Sequence, residues 1–258
     1  MSVAVAHSLV GDRTKPVLVM SGSLGTTRAM WEPQHSLQSE YSLLLYDHRG
    51  HGESPAPDGP YSVAELGDDV VALLDSLDVA SASFCGLSLG GMVGLWLAAH
   101  HPDRVERLVV MCALPRLEPV SLYAGRAAAV RADGLGPIAP AVVSRWFTAD
   151  FARRHPDTVR AYTATLAGLS AEGYASCCDA LAGADLRADI RRIAAPTLVI
   201  AGEEDPVVAP ASAVLFGQSL REASVAVVPR AAHLVSVERP DIVNRVVLDH
   251  LAGSGDDA

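Results

Sequence analysis

The 258-residue chain carries 20 basic against 30 acidic side chains, a net charge of −10, and half of its residues are hydrophobic. This length supports one large domain or two small ones with a core that needs no staples, and the acidic balance argues against nucleic acid as a partner. No apolar run nears the roughly 20 residues that span a bilayer, and the opening MSVAVAHSLVG lacks the basic and apolar regions of a secretory signal, so the cytoplasm is the expected location.

Val3 to Leu9 alternates weakly and predicts one edge strand. Pro16 to Met20 (PVLVM) predicts a buried strand that runs into the small-residue loop Ser21-Gly22-Ser23-Leu24-Gly25-Thr26. Tyr41 to Tyr46 (YSLLLY) is the next strand, followed by Asp47-His48-Arg49-Gly50-His51-Gly52-Glu53-Ser54 and a Pro/Gly-rich turn through Pro60. From Val63 to Leu77 the apolar residues fall at helical spacing, with Ser62 and Glu65 as a capping box. A strand over Ser81 to Cys85 then meets a helix over Met92 to His100 across Gly86-Leu87-Ser88-Leu89-Gly90. Arg107 to Ala113 is another apolar strand. Continuous apolar strands alternating with helices predict an α/β fold, a mostly parallel sheet with helices on both faces.

The rhythm breaks after Pro115. No convincing strand occurs between Arg116 and Arg192; helical patterns such as Pro140 to Thr148 and Pro156 to Leu169 are separated by Gly and Pro. Alternation resumes with a strand at Pro196 to Ala201, a helix at Pro210 to Leu220, a strand at Ser224 to Val228 and a helix at Pro240 to Leu251. The expected organisation is a core of residues 1–115 and 193–258 with an inserted helical cap at 116–192, and a polar, frayed tail over Gly253 to Ala258. The cap holds ten arginines, no lysine and eight acidic residues, a net of +2 on a body of −12. A positive cap over a negative body suggests an anionic ligand beneath it, within the short reach that salt screening allows.

Gly-x-Ser-x-Gly between a strand and a helix is the pattern of a nucleophile elbow. It would set Ser88 on a strained turn at a helix N-terminus, where free N–H groups favour developing negative charge. Gly86 and Gly90 would let strand and helix approach without Cβ collisions. A serine hydroxyl is a weak nucleophile and needs a base, which in turn needs an orienting acid. The acid is expected after the PTLVIA strand, in Gly202-Glu203-Glu204-Asp205-Pro206; Asp205 is favoured, with Glu203 and Glu204 as neighbours able to replace it. The base is expected after the SVAVV strand, where His233 alone of nine histidines stands in the right place. His48 and His51 read as parts of a structural loop whose glycines and Arg49 pack beside the elbow, and His100 and His101 as a helix end. An oxyanion hole needs two backbone N–H groups: Leu89 supplies one and Leu24, in the loop after PVLVM, the other. Cys85, Cys112, Cys177 and Cys178 form no Cys-x-x-Cys pair and no zinc spacing, and read as reduced thiols.

The Ser21 to Trp31 loop, YDHRGHGES, CGLSLGGMVG, GYASCCDAL followed by ADLR, AGEEDPVVAP and AAHLVSVERP together resemble the 3-oxoadipate enol-lactonases. These are a branch of the α/β-hydrolase fold that serves aromatic-compound degradation. The hydrolase motifs are shared with many esterases; Gly173 to Cys178 and the Ser23-Leu24-Gly25 loop are more particular to the branch. The chain departs from it in showing one short N-terminal strand instead of a hairpin, and in carrying Gly22 where relatives often have Asn or His. The resemblance implies that Ser88 attacks a lactone carbonyl, with His233 as base and Asp205 as its orienter. An enolate leaves, and water then releases 3-oxoadipate with no metal or organic cofactor. It implies a small anionic lactone as substrate, with Arg145 and Trp146 in the cap as candidates for meeting its carboxylate. It also brings in fusion to, or association with, a carboxymuconolactone decarboxylase, for which the tail could be a linker. A general carboxylesterase, a perhydrolase and a carbon–carbon bond hydrolase use the same triad and stay open as alternatives. So does a receptor that reuses the fold with little turnover. Enzymes of this fold with an aspartate nucleophile are disfavoured by Ser88.

Overall fold

The computed structural model of the chain describes residues 2–253; the tail expected to be frayed or a linker lies outside them from residue 254 onward. Seven strands form one sheet: β1 (His7–Val10), β2 (Val17–Ser21), β3 (Ser42–Tyr46), β4 (Ala82–Leu87), β5 (Val105–Met111), β6 (Thr197–Gly202) and β7 (Ala223–Val228). Their spatial order is β1-β3-β2-β4-β5-β6-β7. Every neighbouring pair is parallel except β1 with β3, which is antiparallel at the edge. Strands β3, β4 and β6 are buried along their whole length. Burial on both faces is why they read as unbroken apolar runs and not as alternation.

Helices α1 (Val63–Ser76) and α2 (Leu89–His100) cover the sheet next to the elbow. The capping box forms as expected: Ser62 Oγ accepts from the Glu65 N–H, and the Glu65 carboxylate accepts from the Ser62 N–H. The chain order of the sheet reverses between β2 and β4, which leaves a crevice at their C-terminal ends; in open α/β sheets such a switch point is where ligands bind.

Between β5 and β6 no strand occurs among the described residues. Five α-helices and a closing 3-10 turn at Asp189–Arg192 fill the interval: α3 (Val120–Asp133), α4 (Ala139–Val143), α5 (Ala149–Arg154), α6 (Pro156–Ala167) and α7 (Ala171–Gly183). The helix expected over Pro140 to Thr148 stops at Val143. There the chain tightens into i→i−3 turns, the Arg145 and Trp146 N–H groups donating to the Val142 and Val143 carbonyls, and Thr148 then caps a new helix, its hydroxyl accepting from the Phe151 N–H. The remaining helices are α8 (Pro210–Ser219), the single turn α9 (Val235–Glu238) and α10 (Pro240–Leu251). Two features escape the sequence reading. One is α9; the other is a 3-10 stretch at Arg28–Ser39, interrupted by Pro33, that leads away from the loop after β2.

Candidate active site

Strand β4 and helix α2 meet at Ser88, which has φ 57° and ψ −112°. A non-glycine residue held there stores strain of order 1–3 kcal/mol, and the surroundings enforce it. A Cβ on Gly86 would lie 2.2 Å from the Gly90 carbonyl oxygen, and one on Gly90 would lie 2.2 Å from that of Ser21. The Ser88 N–H donates to the Met111 carbonyl at 2.8 Å, and the Gly90 N–H to that of Gly22 at 3.0 Å. Only glycine at both positions lets the turn, the helix and the β2 loop close on one another.

The other two candidates of the triad stand where their strands end. Asp205 follows β6, and its Oδ2 lies 2.9 Å from His233 Nδ1, which follows β7. Its Oδ1 accepts from the Val207 N–H at 2.7 Å. Burial pushes the Asp205 carboxyl up, but His233 and the N–H groups of Val207 and Val208 outweigh it and hold it below the usual carboxylate range. The Cys112 thiol sits behind the pair, buried and raised well above an ordinary thiol, first by burial and then by the Asp205 charge. Glu203 and Glu204 are exposed.

Ser88 and His233 line one narrow cavity beside the inserted helices, together with Ser23, Leu24, Arg126, Arg145 and Trp146. Its volume of about 30 Å³ holds little more than a water molecule. A roomier cleft of about 480 Å³ lies between Met30, Phe151 and Tyr162 and contains none of the three triad candidates. Leu24 and Leu89 are both buried. Leu89 opens α2, where an N–H has no partner within its helix, and the Leu24 N–H donates to no protein group among the described residues.

The electrostatics of the cap are more selective than its composition suggests. Arg131 pairs with Glu172 and Asp179, Arg153 and Arg154 with Asp150, Arg160 with Asp157, and Arg116 and Arg187 with Asp185. Arg126 and Arg145 have no carboxylate partner among the described residues, and both line the cavity that holds Ser88 and His233. Arg145 donates to the Pro206 carbonyl at 3.1 Å. Arg126 lies 5.5 Å from the Tyr123 ring centre and reaches the Tyr174 hydroxyl at 3.4 Å. The sequence reading missed Arg126. Its only signal is its place in α3, where it is one of two arginines in a small-residue helix. Trp146 is buried, edge-on to Tyr162, and its carbonyl accepts from the Leu234 N–H at 2.9 Å.

A family model described as the alpha/beta hydrolase fold matches residues 15–240. The chain belongs to the alpha/beta hydrolase family. This hydrolase is 42% identical over 246 residues to 3-oxoadipate enol-lactonase 2 of Acinetobacter baylyi, covering 95% of the chain and 92% of the relative. It is 35% identical over 232 residues to 3-oxoadipate enol-lactonase 1 of the same organism, covering 90% of the chain and 86% of the relative. The crystal structure of the enol-lactonase from Burkholderia xenovorans superposes with a TM-score of 0.94 at 39% identity, covering 96% of both chains. The mostly parallel sheet, helices on both faces and inserted helices agree with the fold expected from the strand–helix rhythm.

Proposed function

We propose that this hydrolase opens the lactone ring of 3-oxoadipate enol-lactone to give 3-oxoadipate, as the names of its relatives say of them. The observation that carries the reading is one cavity that holds Ser88, His233 and two arginines without carboxylate partners, under a cap whose other arginines are largely paired. A nucleophile beside fixed positive charge suits an acyl substrate that carries a carboxylate.

In the proposed reaction His233 takes the Ser88 proton as the hydroxyl oxygen attacks the lactone carbonyl. Asp205 stays ionised and fixes the ring with its proton on Nδ1, which leaves Nε2 free to act as the base. The N–H groups of Leu24 and Leu89 receive the oxyanion. The C–O bond of the ring breaks, the enolate takes the proton back from His233, and the enol tautomerises to a ketone. Water, deprotonated by the same histidine, then attacks the acyl-serine and releases the second carboxylate. Residues 116–192 act as the cap over this chemistry. Arg126 meets the substrate carboxylate, with Arg145 and Trp146 lining the same cavity. The four buried, unpaired cysteines suit a reducing compartment such as the cytoplasm.

The test is loss of enol-lactone absorbance on adding the purified chain, with Ser88→Ala as the control. Turnover by the parent and none by the variant supports the reading. A parent inactive on the lactone but active on simple aryl esters ends it.

A further inference from the structure

The two histidines of the Asp47–Ser54 turn hold opposite ends of the loop that carries Leu24. His48 Nε2 lies 3.0 Å from the Gly22 carbonyl oxygen, the same oxygen that accepts the Gly90 N–H. A carbonyl only accepts, so His48 carries its proton on Nε2. His48 Nδ1 is buried and without a partner, as a bare ring nitrogen would be. At the other end the Gly25 N–H points at His51 Nε2 at 2.9 Å. A backbone N–H only donates, so here Nε2 must be bare and the proton sits on Nδ1, facing the Arg49 carbonyl at 3.3 Å and Cys177 Sγ at 4.0 Å. Two histidines of one turn are thus fixed in opposite tautomers by the same loop.

Between these anchors the Ser23 carbonyl is held twice, by the Thr26 N–H at 3.2 Å and the Thr26 hydroxyl at 2.8 Å. The peptide is planar and trans, so its N–H points opposite to its C=O. Fixing the Ser23 carbonyl on Thr26 therefore aims the Leu24 N–H the other way. The next peptide in the chain is the one His51 grips. Gly25 has φ +86°, and a Cβ there would press on Leu166, Tyr174 and Trp146, so the loop has no slack on its cap side.

We propose that His51 is a positioning residue for the oxyanion hole, gripping the Gly25 N–H through a bare Nε2 so that the Leu24 N–H stays aimed at the oxyanion. The inference rests on the reading of Leu24 as an oxyanion donor. His51 itself is buried and takes no part in lining the catalytic cavity. The groups around it are Asp47, His48 and Arg49 from its own turn and Tyr174 and Cys177 from α7. Burial keeps both rings neutral, His48 and His51 each lowered to about 4, so the two tautomers persist across the working pH range.

The test has two arms. In the unaltered enzyme labelled with ¹⁵N-histidine, NMR at neutral pH is expected to find His51 as the Nδ1–H tautomer and His48 as the Nε2–H tautomer. His51 protonated on Nε2 overturns the proposal. The second arm compares His51→Leu, which fills the space with no acceptor, with His51→Gln, whose Oε1 can accept near the Nε2 position. The readout is hydrolysis of a simple aryl acetate, which needs the oxyanion hole but not the lactone, so a failure of the lactonase reading leaves it intact. H51L is expected to lower kcat about 10–100-fold, short of the full loss of a donor, with KM within about twofold, and H51Q to recover most of the loss. An H51L kcat within twofold of the parent, or equal loss in both variants, overturns the proposal. If H51L does not fold, the tautomer measurement decides.

Discussion

Glu238 and Thr148 tie the inserted helices to the loop that carries His233. One carboxylate oxygen of Glu238 accepts from the Thr148 N–H at 2.9 Å and hydroxyl at 2.8 Å, while the other accepts from the N–H of Ala232, the residue before His233, at 2.5 Å. Glu238 is buried, so its removal leaves the two N–H groups unsatisfied at about 1–3 kcal/mol each. Glu238→Ala is expected to lose about 2–4 kcal/mol of stability and to lower kcat as the His233 loop loosens. Urea unfolding and steady-state kinetics check both. An unchanged unfolding midpoint would contradict the assigned role.

The Asp205–His233 bond makes a sharper prediction. Asp205→Asn keeps the shape but can offer the ring an N–H where a carboxylate oxygen stood, which favours the wrong tautomer. A fall in kcat of about 10³–10⁴ is expected, with little change in stability beyond the loss of one charged hydrogen bond. A variant within tenfold of the parent would move the acid role elsewhere, and Glu203 and Glu204 would be the next to test.

Arg126 and Arg145 share the cavity but not the same freedom. Arg145 already spends a donor on Pro206, whereas Arg126 rests on Tyr123 and the Tyr174 hydroxyl. Arg126→Gln is expected to raise KM for the anionic lactone by about 10–100-fold, the worth of one charge-assisted contact, and to do so more than Arg145→Gln. On a neutral aryl ester the two variants should be indistinguishable. Equal effects of R126Q on charged and neutral substrates would remove Arg126 as the carboxylate anchor.

Much of this architecture was legible because burial writes itself into sequence. Strands β3, β4 and β6 are buried on both faces, so they appear as apolar runs, and the three triad candidates follow strands at predictable places. What was not legible depends on contacts that no local pattern encodes. The His51–Gly25 bond spans 26 positions and needs the fold to bring a turn onto a loop. Glu238 reads as a polar residue ending a short apolar run, and only the packing of α9 buries it. The stretch at Arg28–Ser39 has too little periodicity and a proline inside. The excess positive charge of the cap was visible as a total, but its concentration at Arg126 and Arg145 required knowing which arginines find partners.

The buried histidines give stability a defined pH dependence. His48 and His51 titrate near 4 in the folded chain and near 6.5 once unfolded. The unfolded chain therefore gains protons first as pH falls, and stability drops between about 6.5 and 4, then levels off as the folded rings charge as well. Each histidine contributes roughly 2–3 kcal/mol to that drop. Folding free energy measured by denaturant from pH 7.5 to 4 should show the slope, and His51→Gln should lessen it, while His48 and His250, also lowered by burial, keep the rest. A variant with the parent's slope would place the proton uptake on other groups.

Gly50 and Gly173 bring the backbone of the turn and of α7 into direct contact. A Cβ on Gly173 would sit 2.4 Å from Gly50 Cα, and one on Gly50 would sit 2.5 Å from Gly173 Cα. Neither obstacle is a flexible side chain, so the elements must part to admit a methyl group. Gly173→Ala sets two effects against each other. Alanine is favoured over glycine inside a helix by about 1 kcal/mol, while overpacking costs about 1–3 kcal/mol. The clash is between backbones, so the second effect is expected to win, with a net loss of stability. The cap should also shift, because Tyr174, the next residue, packs against the Gly25 loop and the Arg126 guanidinium. The cavity that holds Ser88 and His233 is small, about 30 Å³, so helices pushed outward are expected to release product faster but hold substrate less tightly. The expected outcome for G173A is a raised KM with a lowered melting temperature, measured on the lactone and by calorimetry. A G173A variant that is more stable than the parent with the same KM would show that α7 yields without cost, and that the glycine pair does not set the height of the cap.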